Sequence, residues 1–231
     1  MIYATARASA SDNWAKGPTE KEGVAIHVTE GDRDSVLNWF GNKSADVSSH
    51  YLVCTNGARY QFVDEDDIAY HAGRVVSPTA RIVLDRPGVN PNRYLIGIEH
   101  EGTGKTELTP KQRESSLELS ADIMTRHPKI QPDRYHFVGH HEIFAPKSCP
   151  GAISVDAYVV ALNQRISGTS APAEKNPRPL TVWSTYFRDW LIVTRVASDD
   201  EWYFVPLKQL RAGVVLRAQA PLSSMPLEAP R

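Results

Sequence analysis

Apolar positions along this chain follow two periods. Residues 23–31, GVAIHVTEG, form an apolar run closed by a glycine, which predicts a buried strand carrying His27 near its C-terminal end. DRDSVLNWFGN follows and spaces Val36, Leu37 and Phe40 on one helical face. SSHYLVCTNGARYQFV holds two β-rich runs around Asn56-Gly57, the pair that supplies the positive φ angles of a tight hairpin turn. RYLIGIEHEG predicts a second buried strand with an acidic, glycine-terminated tip. Thr109 as N-cap, Pro110 at the first helical position and Gln112 completing a capping box predict a helix with Leu117, Ala121 and Met124 on one face, stopping at His127-Pro128. YHFVGH predicts another strand, and Ser154 caps a last helix with Val155, Val159, Leu162 and Ile166 in register. Residues 74–94 carry three prolines and no period, which predicts a long loop over one rim. This alternation predicts an α/β fold with a mixed central β-sheet flanked by helices.

Residues 167–179, SGTSAPAEKNPRP, have the composition of a linker, so residues 1–166 form one predicted domain and residues 180–231 a small β-rich module. That module holds Trp183, Trp190 and Trp202, three of the five tryptophans. Composition changes this picture little: 41% apolar and 23% charged residues fit a folded globular protein. Charge excludes more. With 26 basic against 27 acidic residues, no global field favours nucleic acid or an anionic membrane. No apolar stretch approaches the ~20 residues of a membrane span, and the N-terminus lacks the basic opening and apolar run of a signal peptide. The expectation is a soluble chain, cytoplasmic as synthesised, with no membrane insertion. Two cysteines, Cys54 and Cys149, are too few for a disulfide framework.

The candidate chemistry collects at predicted strand ends, where α/β sheets place their ligand crevices. His27, Glu99, His140, Lys147 and Cys149 all fall there. His140 and Cys149 lie nine residues apart, joined by a loop closed by Pro150-Gly151, while His27 comes from a different strand. Three nitrogen or sulfur donors with a fourth position open is the pattern of a catalytic zinc. Taken singly, each of these residues is more often structural: a histidine at a strand end is usually hydrogen-bonded scaffold, and a lone cysteine a small buried hydrophobe.

The succession IHVTEG, SSHYLV, YQFVDEDDIAYHAG, IGIEHEG and GHHEIFAPKSCPG resembles the zinc-dependent N-acetylmuramoyl-L-alanine amidases, a family that includes amidase-type phage lysozymes and peptidoglycan recognition proteins. The resemblance spans roughly residues 20–166, with the blocks in the family's order. It implies a Zn2+ ion held by His27, His140 and Cys149 in a cleft at the strand ends, with Glu99 and Lys147 as catalytic groups. Glu99 would take the proton of the attacking water, and Lys147 would place positive charge beside the developing oxyanion. His50 and His71 match cleft positions and are expected to contact substrate. In the family's Gly-His block the ligand directly follows the glycine, which selects His140 over His141; on a strand the two side chains would leave opposite faces. Cys54 is expected in the core. Many bacterial members carry aspartate where Cys149 stands, and residues 74–94 have no matching family segment.

The resemblance implies cleavage of the amide between N-acetylmuramic acid and L-alanine in peptidoglycan, as an endolysin whose module at 180–231 binds the wall. Two rivals are a non-catalytic peptidoglycan-binding module, which would typically lack the cysteine ligand, and a cytosolic muropeptide-recycling amidase. The expected partners are peptidoglycan or muropeptides.

Overall fold

The computed structural model describes residues 5–7, 13–17, 19–168, 180–184, 189–196 and 201–206, and these fall in two compact units, residues 1–168 and 169–231. The first unit contains strands β1 (Thr5–Arg7), β2 (Trp14–Ala15), β3 (Gly23–Val28), β4 (Tyr51–Val53), β5 (Arg59–Gln61), β6 (Ile68–Ala69), β7 (Leu95–His100) and β8 (Phe137–Gly139). Its helices are α1 (Arg33–Gly41), α2 (Arg81–Leu84), α3 (Pro110–Arg126) and α4 (Val155–Ile166). Six strands form one sheet in the order β1-β5-β4-β7-β3-β8, while β2 pairs with β6. The β4–β5 hairpin is antiparallel; β4, β7, β3 and β8 run parallel, so the sheet is mixed.

Strands β3 and β7 are interior strands of the sheet, covered on both faces, which is why both read as nearly continuous apolar runs. Side chains alternate between the faces. Val24, Ile26 and Val28 of β3, with Ile96 and Ile98 of β7, pack under α3 and α4 through Leu117, Ile123, Tyr158 and Leu162. Ala25 and Leu95 face the other way, against Ile82 and Val83 of α2 and against Ile143. Further along the sheet, α1 covers Leu52 and Cys54 with Val36 and Phe40. By the same alternation His27 and Glu99 belong to the face away from α3 and α4, and His100 to the face beneath them. Accordingly His100 donates from Nδ1 to the His27 carbonyl at 2.9 Å, and its Nε2 accepts from the Ser116 hydroxyl of α3 at 2.7 Å.

Helix α3 begins as its sequence requires, with Thr109 and Gln112 closing a capping box. Gln112 also donates its side-chain amide to the carbonyls of Val53 and Glu101, tying the helix to the ends of β4 and β7. The buried face of α3 is more polar than a leucine stripe: Ser116 and Ser120 both sit 2.7 Å from the Tyr158 hydroxyl of α4. Paired in this way, the hydroxyls avoid the 1–3 kcal/mol cost typical of an unsatisfied buried polar group.

Two expectations change. Residues 74–94 are not a plain loop: they hold α2 and a 3-10 turn at Pro91–Arg93, elements too short to show a period, and Ile82 and Val83 bury into the core. The strand expected through His140 ends at Gly139, and His140–Glu142 form a 3-10 turn. Residues 167 and 168 close α4, whereas the rest of the expected linker, residues 169–179, lies outside the described residues. In the second unit β9 (Leu180–Ser184), β10 (Asp189–Val196) and β11 (Glu201–Pro206) form an antiparallel sheet in the order β11-β10-β9. The side chains of Trp183, Trp190 and Trp202 lie outside the described residues. No described helix is long and apolar enough to cross a membrane.

Candidate active site

The site forms where β3, β7 and β8 end side by side. Parallel register sets His27 directly opposite Glu99, so both side chains emerge on one face at neighbouring positions. Strand β8 delivers Gly139 beside Ile26, and the chain then turns. Glu142 holds that turn: its carboxylate accepts from the Gly139 N–H at 2.6 Å and from Arg134 at 2.7 Å. The returning segment is fastened by His141, whose backbone N–H and Nδ1–H both donate to the Cys149 carbonyl, at 2.8 and 3.0 Å. Gly151 seals the far end. It has φ +63°, and a Cβ there would lie 2.3 Å from the Gly104 carbonyl oxygen, so only glycine lets the two loops meet.

His140 and His141 therefore diverge because the chain turns between them, not because a strand alternates. His140 points inward to His27, and His141 is an exposed staple for the loop of Cys149. The Nδ1 atoms of His27 and His140 lie 3.2 Å apart, and Cys149 Sγ lies 3.8 Å from His27 Nδ1. All three donor atoms fall within 4.8 Å of one another. Around a tetrahedral zinc, bond lengths of ~2.05 Å to nitrogen and ~2.3 Å to sulfur require separations of about 3.3 Å and 3.6 Å, close to the two separations measured from His27 Nδ1. The Val28 N–H donates to Cys149 Sγ at 3.3 Å, support suited to a thiolate.

Electrostatics point the same way. Burial pushes the Cys149 thiol up to about 12, with the Glu99 carboxylate adding to the rise. Burial raises Glu99 to about 8, Lys147 pulling in the opposite direction. Glu99 Oε2 is shielded and has no hydrogen-bond partner. A thiol and a carboxylate so placed ionise together only beside a cation. The imidazoles are held neutral, the form able to coordinate a metal: burial drives His27 well below its usual value and His140 to about 4, helped in the latter by Lys147. These groups open on a cleft of about 720 Å³, bordered by exposed Lys147 and by Glu30, Ser35 and Trp39.

His71 lines the cleft as expected, whereas His50 does not. His50 is wholly buried; its Nε2 donates to the Asp67 carbonyl at 3.3 Å and its Nδ1 accepts from the Gly97 N–H at 3.0 Å. Neither nitrogen is left for a substrate. His71 is 5% exposed and stands behind His27. Cys54, 1% exposed, packs in the core with Leu52 and Phe62. Trp39 was overlooked by periodicity: it lies off the Val36–Phe40 stripe and is 56% exposed, an apolar ring left on the polar side of α1.

A family model described as N-acetylmuramoyl-L-alanine amidase matches residues 17–152, more than half the chain. The chain belongs to the N-acetylmuramoyl-L-alanine amidase family. Among curated amidases, it is 39% identical over 102 residues to the 1,6-anhydro-N-acetylmuramyl-L-alanine amidase AmpD of Haemophilus influenzae, covering 44% of this chain and 49% of that protein. It is 34% identical over 95 residues to N-acetylmuramoyl-L-alanine amidase A of Achromobacter lyticus, covering 41% of this chain and 45% of that one. The chain thus spans about half the length of these relatives. Among solved structures, an AmpD derivative shares the fold with TM-score 0.56 at 23% identity, over 70% of this chain and 99% of that one. The amidase AmiD of E. coli, solved with anhydro-N-acetylmuramic acid-L-Ala-D-gamma-Glu-L-Lys, is 30% identical with TM-score 0.51, over 64% of this chain and 59% of that one. The family is generally zinc-dependent, and the amidase cleft here offers two imidazoles and a thiol.

Two expected outcomes follow from the buried imidazoles and the turn. In metal-free protein, His71 is depressed to about 3 and His100 to about 4, chiefly by burial. Below pH ~6.5 the unfolded chain binds protons that the folded chain does not, so stability present above that pH is lost as pH falls towards 4. The slope reaches about 1.4 kcal/mol per pH unit for each such imidazole, measurable as a falling urea midpoint between pH 7.5 and 5. A flat or rising midpoint contradicts the neutral burial. His140→Ala abolishes stoichiometric zinc by elemental analysis, whereas His141→Ala retains it; the reverse pattern would mean that the turn is misassigned.

Proposed function

We propose that the first unit hydrolyses the amide between the lactyl group of N-acetylmuramic acid and the L-alanine of the peptidoglycan stem peptide, with zinc held by His27, His140 and Cys149. The observation that carries this reading is the convergence of His27 Nδ1, His140 Nδ1 and Cys149 Sγ within 4.8 Å of one another, beside Glu99 and Lys147 in one open cleft.

Zinc held by these three residues would supply Lewis acidity toward the scissile carbonyl and a water molecule. Glu99, unpaired at Oε2 and opposite His27 in the sheet, accepts the proton of the attacking water and passes it to the departing amine. Lys147, exposed at the cleft, sets positive charge where the tetrahedral oxyanion grows. His140 and His27, held neutral by burial, keep their lone pairs for the metal.

We place this reaction on the polymeric wall, as in an endolysin, with the unit at residues 169–231 as the wall-contacting part. The 39% identity to AmpD supports a second reading, in which soluble anhydro-muropeptides are the substrate. Purified sacculi and soluble muropeptides separate the two: release of free stem peptides from sacculi, seen by mass spectrometry, supports the first. Turnover confined to soluble fragments supports the second, and no amide cleavage of either overturns the proposed reaction.

Glu99→Gln and Lys147→Ala retain zinc but lose about 100-fold or more in kcat, since acid–base help is typically worth 10²–10⁴ and an oxyanion partner 10²–10³. Near-normal turnover in Glu99→Gln would place the base elsewhere. The buried His50 and His100 could not take over, because both of their ring nitrogens are already bonded.

A further inference from the structure

Behind His27, on the side away from His140 and Cys149, a second imidazole occupies the wall of the site. His27 Nε2 lies 3.1 Å from His71 Nδ1, and His71 Nε2 lies 3.2 Å from the Leu95 carbonyl oxygen. The rings meet edge to face, with centroids 5.1 Å apart and planes at 83°. The proton positions in this chain follow from its far end. A carbonyl can only accept, so His71 Nε2 carries the hydrogen; in a neutral ring that leaves a lone pair on Nδ1. His27 must then donate from Nε2, which puts its own lone pair on Nδ1, the atom facing His140 and Cys149.

We infer that His71 is a positioning residue for the metal centre: it accepts the Nε2–H of His27 and so holds His27 in the tautomer and orientation whose Nδ1 binds the ion. This rests on the metal site of the proposed function and deepens it. A second imidazole takes the place that a carboxylate or backbone carbonyl commonly fills behind a ligating histidine.

The surroundings of His71 are organised for this task. Its backbone N–H and that of Ala72 both donate to Asn92 Oδ1, at 3.1 and 2.8 Å, which fixes where the side chain starts. Asn92 is itself held through its carbonyl by the buried ammonium of Lys21 at 3.3 Å, the same group that donates to the Asp67 carbonyl at 2.8 Å. The ring then lies against the backbone of Gly97 in β7. A Cβ on Gly97 would stand 2.5 Å from His71 Cγ, so this strand position admits the imidazole only as glycine. His71 is 5% exposed with both ring nitrogens engaged, so it is poorly placed to bind substrate directly.

The test reads the tautomer and the metal separately. In metal-free protein, long-range proton–nitrogen correlation spectra are expected to show His27 protonated at Nε2 alone; His27 protonated at Nδ1 overturns the inference without any variant. Zinc affinity, measured by competition with a chromophoric chelator, is expected to fall about 10–100-fold in His71→Leu, which removes the acceptor. His71→Asn, whose Oδ1 can occupy the acceptor position, is expected to stay within a few-fold of the parent. Equal loss in both variants, or no loss in His71→Leu, overturns the positioning role. If His71→Leu does not fold, the tautomer spectrum and the Asn variant still decide. Failure of the parent protein itself to bind zinc would instead remove the proposed function, and is thereby distinguished from failure of this inference alone.

Discussion

The parallel pairing of β3 with β7, in the register that sets His27 opposite Glu99, is the constraint on which the site depends. Both strands are buried on both faces, so a slip by one residue would drive Ile26 and Ile98 out of the core under α3 and α4 and carry His27 into it. The large apolar residues therefore secure the register, and the polar residues ride on it. The same alternation sends His100 to the opposite side of the sheet, where Ser116 receives it. One strand pair thus sorts three neighbouring polar groups into the proposed ligand, the proposed catalytic carboxylate and a piece of scaffold.

What burial does to those groups supports the metal proposed among them. It raises the thiol of Cys149 and the carboxyl of Glu99 and lowers the imidazoles, so each group is driven towards its neutral form. For a histidine this is what coordination requires. For cysteine and glutamate it is the reverse, and a divalent cation at their meeting point restores the anionic forms. The cleft is thus a set of donors whose charge states become mutually consistent when the metal is present.

Much of the architecture was legible in the chain. Uninterrupted apolar runs announce β3 and β7, Asn56-Gly57 marks the β4–β5 hairpin, and Thr109, Pro110 and Gln112 mark the start of α3, because these are local signals with local causes. Less legible were features made by distant partners. Residues 74–94 hide α2, whose four residues are too few for a period yet bury Ile82 and Val83. Gly139 ends β8 one residue earlier than the apolar pattern suggests, because Glu142 reaches back to its N–H. The apolar period of α3 does not reveal that Ser116 and Ser120 are buried, because their partner Tyr158 comes from α4. His50 and His71 could be placed near the cleft by family resemblance, but their burial depends on Gly97, far away in the chain, which leaves room for the His71 ring and donates its N–H to His50.

The central claim, that His27, His140 and Cys149 together hold one zinc with a position left open, is tested most directly by zinc K-edge X-ray absorption on the metal-loaded protein. The account predicts one sulfur at about 2.3 Å and two imidazole nitrogens at about 2.0–2.1 Å, with one further light atom completing four-coordination. It also predicts that the sulfur shell disappears in Cys149→Ser. A first shell without sulfur in the parent protein, or one unchanged in that variant, would contradict it.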